Sequence, residues 1–153
     1  MPVTSTAEAI YLDTSALLKR YVPEANSEAF EIYLAERSPA SISRLTLVEL
    51  RSGLARKRRA NAISPERELA AAGEIRLDIQ DGLLQVKPSN DHHFVSALYL
   101  IEKLQHLPLR TLDALHLAIA QEVNAKELAT ADNIMARAAQ ALNLRVAFFG
   151  KTL

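Results

Sequence analysis

The sequence predicts an α/β fold with three layers, α/β/α, built around a central, mostly parallel sheet of four to five strands. Three observations carry that expectation. Short apolar runs alternate with longer helical patterns from one end of the chain to the other. The segments that join successive runs are long enough to be crossovers, which parallel strands require. Two of the runs stop at an aspartate, a residue suited to starting a helix. The 153 residues suffice for one compact domain, expected over residues 8–150 behind a flexible lead-in at 1–7.

Each element has its own signal. Ala9-Ile10-Tyr11-Leu12 is an apolar run that stops at Asp13-Thr14-Ser15, so a buried strand feeds a helix that continues through Tyr21. After Pro23 a second helix starts near Asn26, carries Phe30, Tyr33 and Leu34 on one face, and ends at Ser38-Pro39. Residues 40–43 form the second strand. Residues 45–59 are helical, with Leu47, Leu50 and Leu54 aligned on one side. Ser64-Pro65-Glu66 opens a further helix, with Pro in its first turn, which Asp81-Gly82 stops after about Gln80. Residues 83–86 are the third strand, and 91–107 a long amphipathic helix closed by Pro108. Thr111 is expected as the N-cap of the next helix, whose interior, 112–120, is apolar nearly all round and therefore buried. Residues 127–131 give a fourth strand, 132–142 a helix and 145–149 a last strand.

Composition excludes several classes. The 18 basic and 18 acidic residues cancel, so any affinity for phosphates must come from a local arrangement of charge. Without cysteine there are no disulfides, zinc-thiolate sites or thiol nucleophiles, which fits a reducing compartment. The longest uninterrupted apolar stretch, 97–101, is too short to span a bilayer, and the N-terminus lacks the features of a signal peptide. A cytoplasmic protein with no membrane partner is expected.

In open α/β sheets ligands gather at the carboxyl ends of strands, which singles out Asp13 and Asp132. Each taken alone reads as a helix cap. Asp113 lies among Leu109, Leu112, Leu117 and Ala120, where a carboxylate needs a partner or the first-turn dipole. His116, one turn on, is either a hydrogen-bond partner of Asp113 or a satisfied core histidine. Glu49 sits off the leucine stripe of its helix, beside Thr46, Ser52 and Gly53, and singly reads as a solvated residue. Together, four carboxylates converging on one crevice without a basic neighbour would repel one another. A divalent cation resolves that repulsion, and oxygen-only ligands point to a hard ion, Mg²⁺ or Mn²⁺. The chemistry this suggests is metal-assisted phosphodiester hydrolysis.

Four segments carry a family resemblance: Tyr11-Leu12-Asp13-Thr14-Ser15-Ala16, Leu45-Thr46-Leu47-Val48-Glu49-Leu50, Leu112-Asp113-Ala114-Leu115-His116-Leu117-Ala118 and Leu128-Ala129-Thr130-Ala131-Asp132. In this order, over residues 10–149, they resemble PIN-domain ribonucleases, most closely the VapC-type toxins of bacterial toxin–antitoxin pairs. The resemblance implies a PIN-like fold in which Asp13, Glu49, Asp113 and Asp132 hold Mg²⁺ or Mn²⁺ for endoribonuclease cleavage. Ser15 and Thr130 would support the site by orienting carboxylates or water, with His116 and Asn133 as further supporting groups. It also implies an RNA substrate of the tRNA or rRNA class, a cognate antitoxin in the active-site groove and a homodimer.

Arg56-Lys57-Arg58-Arg59 is the one dense basic run and is a candidate grip on the RNA backbone or a solvated helix end. Lys19 and Arg20 are further candidates. Tyr21 and Tyr33 are positioned to stack on bases or to fill the core. Two other readings stand beside the nuclease. A receiver-like phosphate-transfer domain would need a paired acid on an earlier strand and a late lysine, where this chain has Asp13 alone and Arg145. A non-catalytic RNA- or protein-binding module on the same fold would be indifferent to metal and to loss of the carboxylates.

Overall fold

The structure, a computed structural model, describes residues 8–152; the lead-in expected at 1–7 lies outside the described residues. The chain runs β1 (Ile10–Leu12), α1 (Thr14–Tyr21), α2 (Ser27–Arg37), β2 (Ala40–Ser43), α3 (Arg44–Arg59) and α4 (Pro65–Gln80). It continues through β3 (Leu84–Lys87), α5 (Asp91–Lys103), α6 (Thr111–Glu122), β4 (Glu127–Thr130), α7 (Asn133–Ala141) and β5 (Arg145–Phe148). The five strands form one sheet in the order β3-β2-β1-β4-β5, and every pairing is parallel.

Alternation along the central strands builds the layers. Ile10 and Leu12 pack into one core with Leu17, Phe30, Leu34, Leu50 and Ile75, drawn from α1 to α4. Tyr11, between them, belongs to the opposite core with Leu100, Leu117, Ile119 and Met135, drawn from α5 to α7. Burial on both faces explains why the central strand β1 is an apolar run, whereas the edge strand β3, Leu84-Gln85-Val86-Lys87, alternates.

The strand order fixes where a ligand belongs. From β1 the chain moves outward in one direction through β2 to β3, then returns to the other side of β1 for β4 and β5. The switch point lies between β1 and β4, whose carboxyl ends carry Asp13 and Asp132.

Beyond shifts of one residue at several strand and helix ends, two boundaries differ from the sequence expectation for physical reasons. The N-cap of α6 is Arg110 rather than Thr111, which stands exposed as the first helical residue. Arg110 makes no side-chain cap bond, and Asp113 stands in the first turn, where its charge complements the helix dipole. The helix α5 ends at Lys103, not at 107, and a turn closes with Leu107 N–H donating to Leu104 O at 2.8 Å. Leu104 and Leu107 stay buried, which is why their spacing reads as helix.

Candidate active site

Asp13 stands at the N-cap of α1 but makes no side-chain cap bond. Its carboxylate is committed elsewhere. Oδ2 accepts from Ser15 Oγ at 2.7 Å and from Thr130 Oγ1 at 2.8 Å. Each hydroxyl is itself held: Ser15 Oγ accepts the Ala131 N–H at 2.9 Å, and Thr130 Oγ1 accepts the Asp132 N–H at 3.0 Å. The loops after β1 and β4 are thereby joined across the switch point, and Asp13 is only 6% exposed.

Glu49 reaches the same place from α3. Ser43 ends β2 and at once caps α3 in a capping box with Thr46, so strand and helix meet without a loop. Glu49, Ser52 and Arg56 follow at helical spacing and all line the cleft that contains Asp13. Glu49 Oε1 accepts from Thr14 Oγ1 at 2.9 Å and bonds His116 Nε2. His116 Nδ1 lies 2.7 Å from Tyr11 Oη, which donates to Ser43 Oγ at 3.0 Å. Because the Tyr11 proton goes to Ser43, the network assigns His116 as a donor from both nitrogens.

His116 therefore answers the open question of the sequence: it is a core residue, 1% exposed, and its partners are Tyr11 and Glu49 rather than Asp113. Burial alone would depress its pKa, but the Glu49 bond and the charges of Asp13, Glu49 and Asp113 hold it above the ordinary value. Burial likewise pushes Glu49 up, and the bonds from His116 and Thr14 with the charge of Arg110 more than reverse that, leaving it below the usual range. The two form an ion pair tucked under the cleft.

Asp113 and Asp132 complete the set. A cleft of about 340 Å³ is lined by all four acids. Asp132 Oδ1 caps α7 by accepting the Met135 N–H at 2.9 Å, so its capping role and its place in the cleft coexist. Asp113 Oδ2 is buried without a hydrogen-bond donor among the described residues. Burial raises its pKa first, and the charges of Asp132 and Asp13 raise it further, with Arg110 opposing them.

Arg110 corrects the expectation of a carboxylate cluster without a basic neighbour. Its Nε lies 3.5 Å from Asp113 Oδ2, and its Nη2 lies 3.6 Å from Asp132 Oδ2. Sequence reasoning missed Arg110 and Thr14. Thr14 had a signal, since it follows Asp13 directly. Arg110 had none, because a long side chain in a loop gives no periodicity to read.

The other candidates separate clearly. Asn133 is exposed as the first residue of α7 and is not among the residues lining the cleft. Within the basic run only Arg56 lines the cleft; Lys57 pairs with Glu24 and Arg58 with Glu68, while Arg59 is exposed. Lys19 is buried, donating to Ala25 O at 2.7 Å, and Arg20 forks onto Asp78 and Glu31. Tyr21 and Tyr33 are core residues whose hydroxyls donate to Asp78 and Glu127. A larger cleft of about 430 Å³ lies beside Arg20 and Asp78, but their charges neutralise each other. His92, His93 and Glu122 also meet on α5 and α6. There His93 Nδ1 accepts the Asn90 N–H at 2.9 Å, which puts the ring proton on Nε2, so that the nitrogen facing Glu122 offers no lone pair.

A parallel sheet with acids converging at its switch point defines the class, and the family comparison agrees. The PIN domain model matches residues 10–141, and the chain belongs to that family. It is 35% identical over 140 residues to Ribonuclease VapC46 of Mycobacterium tuberculosis, covering 90% of this chain and 95% of that protein. Solved structures with the same fold include Mycobacterium tuberculosis VapC20, described as a sarcin-ricin loop cleaving toxin. It has a TM-score of 0.69 and 20% identity, over 85% of this chain and 95% of that one. A toxin–antitoxin complex from Klebsiella pneumoniae matches with a TM-score of 0.58 and 18% identity, over 81% and 86% of the two chains.

Proposed function

We propose that the protein is a metal-dependent endoribonuclease of the VapC type, hydrolysing RNA phosphodiester bonds as the toxin of a toxin–antitoxin pair. One observation carries the reading: four carboxylates line one cleft, and one of their oxygens, Asp113 Oδ2, is buried without a donor. An oxygen-only set with an unsatisfied buried anion fits a hard divalent cation. Asp13, Glu49, Asp113 and Asp132 would hold Mg²⁺ or Mn²⁺. When bound, such an ion acts as a Lewis acid toward the phosphodiester and lowers the pKa of water.

The protein's own residues prepare that chemistry. Ser15 and Thr130 fix the rotamer of Asp13 by donating to the same oxygen. Thr14 and His116 fix Glu49 through Oε1 and leave its second oxygen free of either bond. Tyr11 sets the orientation of His116 from inside the core. Arg56, at the mouth, meets the RNA backbone as a phosphate contact.

The relatives support the substrate and partner: one is named a ribonuclease, one a sarcin-ricin loop cleaving toxin, and one is a toxin–antitoxin complex. A structured tRNA or rRNA is the proposed target, and an antitoxin the proposed inhibitor, both acting in the cytoplasm. No helix of the described residues is long and apolar enough to cross a membrane. For the homodimer we propose the face of α5, where Phe94, Val95, Leu98 and Tyr99 are exposed on one side. Light scattering on wild type and Leu98→Glu checks it; a monomeric wild type would end that proposal.

The test of the activity is incubation of purified protein with total bacterial RNA in Mg²⁺, Mn²⁺ or EDTA, beside Asp13→Asn, with mapping of new 5′ ends. Discrete ends that require both metal and Asp13 are expected. Cleavage that persists in EDTA or in Asp13→Asn would refute the site.

A further inference from the structure

We propose that Arg110 is the displaceable counter-ion of the acidic cleft, occupying the place between Asp113 and Asp132 and so weakening the apparent affinity of the site for divalent cations. The inference rests on the metal-site reading above and assigns its regulation to one residue of this chain.

The geometry is that of a placeholder rather than a permanent bridge. Arg110 faces two carboxylates with two different nitrogens, at 3.5 Å and 3.6 Å, distances that give Coulombic attraction without well-formed hydrogen bonds. Asp113 Oδ2 consequently stays without a donor although a guanidinium stands beside it. Arg110 neutralises that oxygen and does not satisfy it. A cation that forms an inner bond to the same oxygen therefore has an advantage the guanidinium lacks.

Among the described residues, no other side chain ties the Arg110 guanidinium down. Its side chain is 78% exposed, whereas those of Asp113 and Asp132 are 14% and 27% exposed. Its backbone is anchored as the N-cap of α6, in an extended conformation of φ −89° and ψ 162°, so the side chain leaves without moving the helix. The contrast with Arg20 is plain: that side chain makes a forked contact with Asp78 at 2.8 Å and 3.0 Å. Arg110 thus keeps the acids compatible with the fold between metal-binding events, and in doing so competes with the metal.

The test is calorimetric titration of Mn²⁺ into the full chain, without RNA, for wild type, Arg110→Gln, Arg110→Lys and Asp113→Asn. Arg110→Gln is expected to bind Mn²⁺ about fivefold more tightly, the span of a partly exposed ion pair. Arg110→Lys keeps the charge and should stay near wild type, while Asp113→Asn should lose most of the binding. If wild type binds and Asp113→Asn does not, yet Arg110→Gln binds no tighter, the counter-ion role is overturned and the metal site stands. If neither wild type nor Arg110→Gln binds Mn²⁺, both the metal site and this inference fall.

Discussion

Asp113→Asn is expected to raise the melting temperature of the metal-free protein while removing its response to Mn²⁺. The carboxylate is 14% exposed, has one oxygen without a donor, and is pushed above its ordinary pKa of 3.8 by burial and then by Asp132 and Asp13. The isosteric amide keeps the volume and removes the charge. An unsatisfied buried polar group costs about 1–3 kcal/mol and more when charged, so the amide keeps part of the cost and removes the part due to charge. Arg110 offsets part of this, at most about 1 kcal/mol for a pair open to solvent. The net gain is about 1 kcal/mol, or roughly 2–4 °C for a chain of this size. The sign follows from linkage. A raised folded pKa means the folded state holds the proton more tightly, so the cost of Asp113 grows as pH rises from 3.8 through the folded value and is complete above it. The gain should be present at neutral pH and vanish below pH 3.8. Thermal melts by circular dichroism, in EDTA and in Mn²⁺, decide the matter. Wild type should climb by about 2.7 kcal/mol at a Mn²⁺ concentration about a hundred times the Kd, with the variant flat. A variant that melts lower than wild type in EDTA at neutral pH, or climbs equally with Mn²⁺, refutes the reasoning.

Three further outcomes are expected. Thr130→Val removes a bond to Asp13 and orphans the Asp132 N–H, so urea unfolding should show a loss of about 2–3 kcal/mol, and Mn²⁺ affinity should drop about 10- to 100-fold. Tyr11→Phe deprives the buried His116 Nδ1–H of its acceptor. In wild type without metal, the raised pKa of His116 contributes stability that is complete below its ordinary 6.5 and lost as pH rises through the folded value. Stability measured against pH in EDTA should show that decline, and Tyr11→Phe should flatten it. For RNA binding, Arg56→Ala should reduce the salt slope by about one phosphate contact, whereas Arg58→Ala should leave it unchanged because Arg58 is engaged with Glu68. Filter binding across a salt series reads both.

How much of the site is legible in the sequence varies residue by residue. Asp13 and Asp132 can be placed because apolar runs end on them, and strand ends are where open parallel sheets bind ligands. Asp113 stands out as an acid inside an apolar helix. Glu49 is legible by its small neighbours and by resemblance, but its anchoring is not, since His116 is 67 residues away and Thr14 is 35 away. Thr111 reads as a cap by local preference, but the helix already starts at it, with Arg110 as the flanking residue and Asp113 in the first turn. Arg110 and Arg56 make the same point about charge: a sequence shows where cations are, while only the packed helices show which of them face acids and which are paired elsewhere.

The position of β4 has a consequence for the life of the chain. It is the fourth strand in sequence, yet it is bonded between β1 and β5, and the last acid follows it directly. A polypeptide that stops short of β4 has Asp13 without Thr130, a central strand with one open edge, and no Asp132. On the proposed site, fragments that end before β4 lack Thr130 and Asp132 and are expected to show no cleavage. Because a strand from late in the chain docks beside one from its beginning, the four acids of the cleft come together only once that long-range pairing has formed.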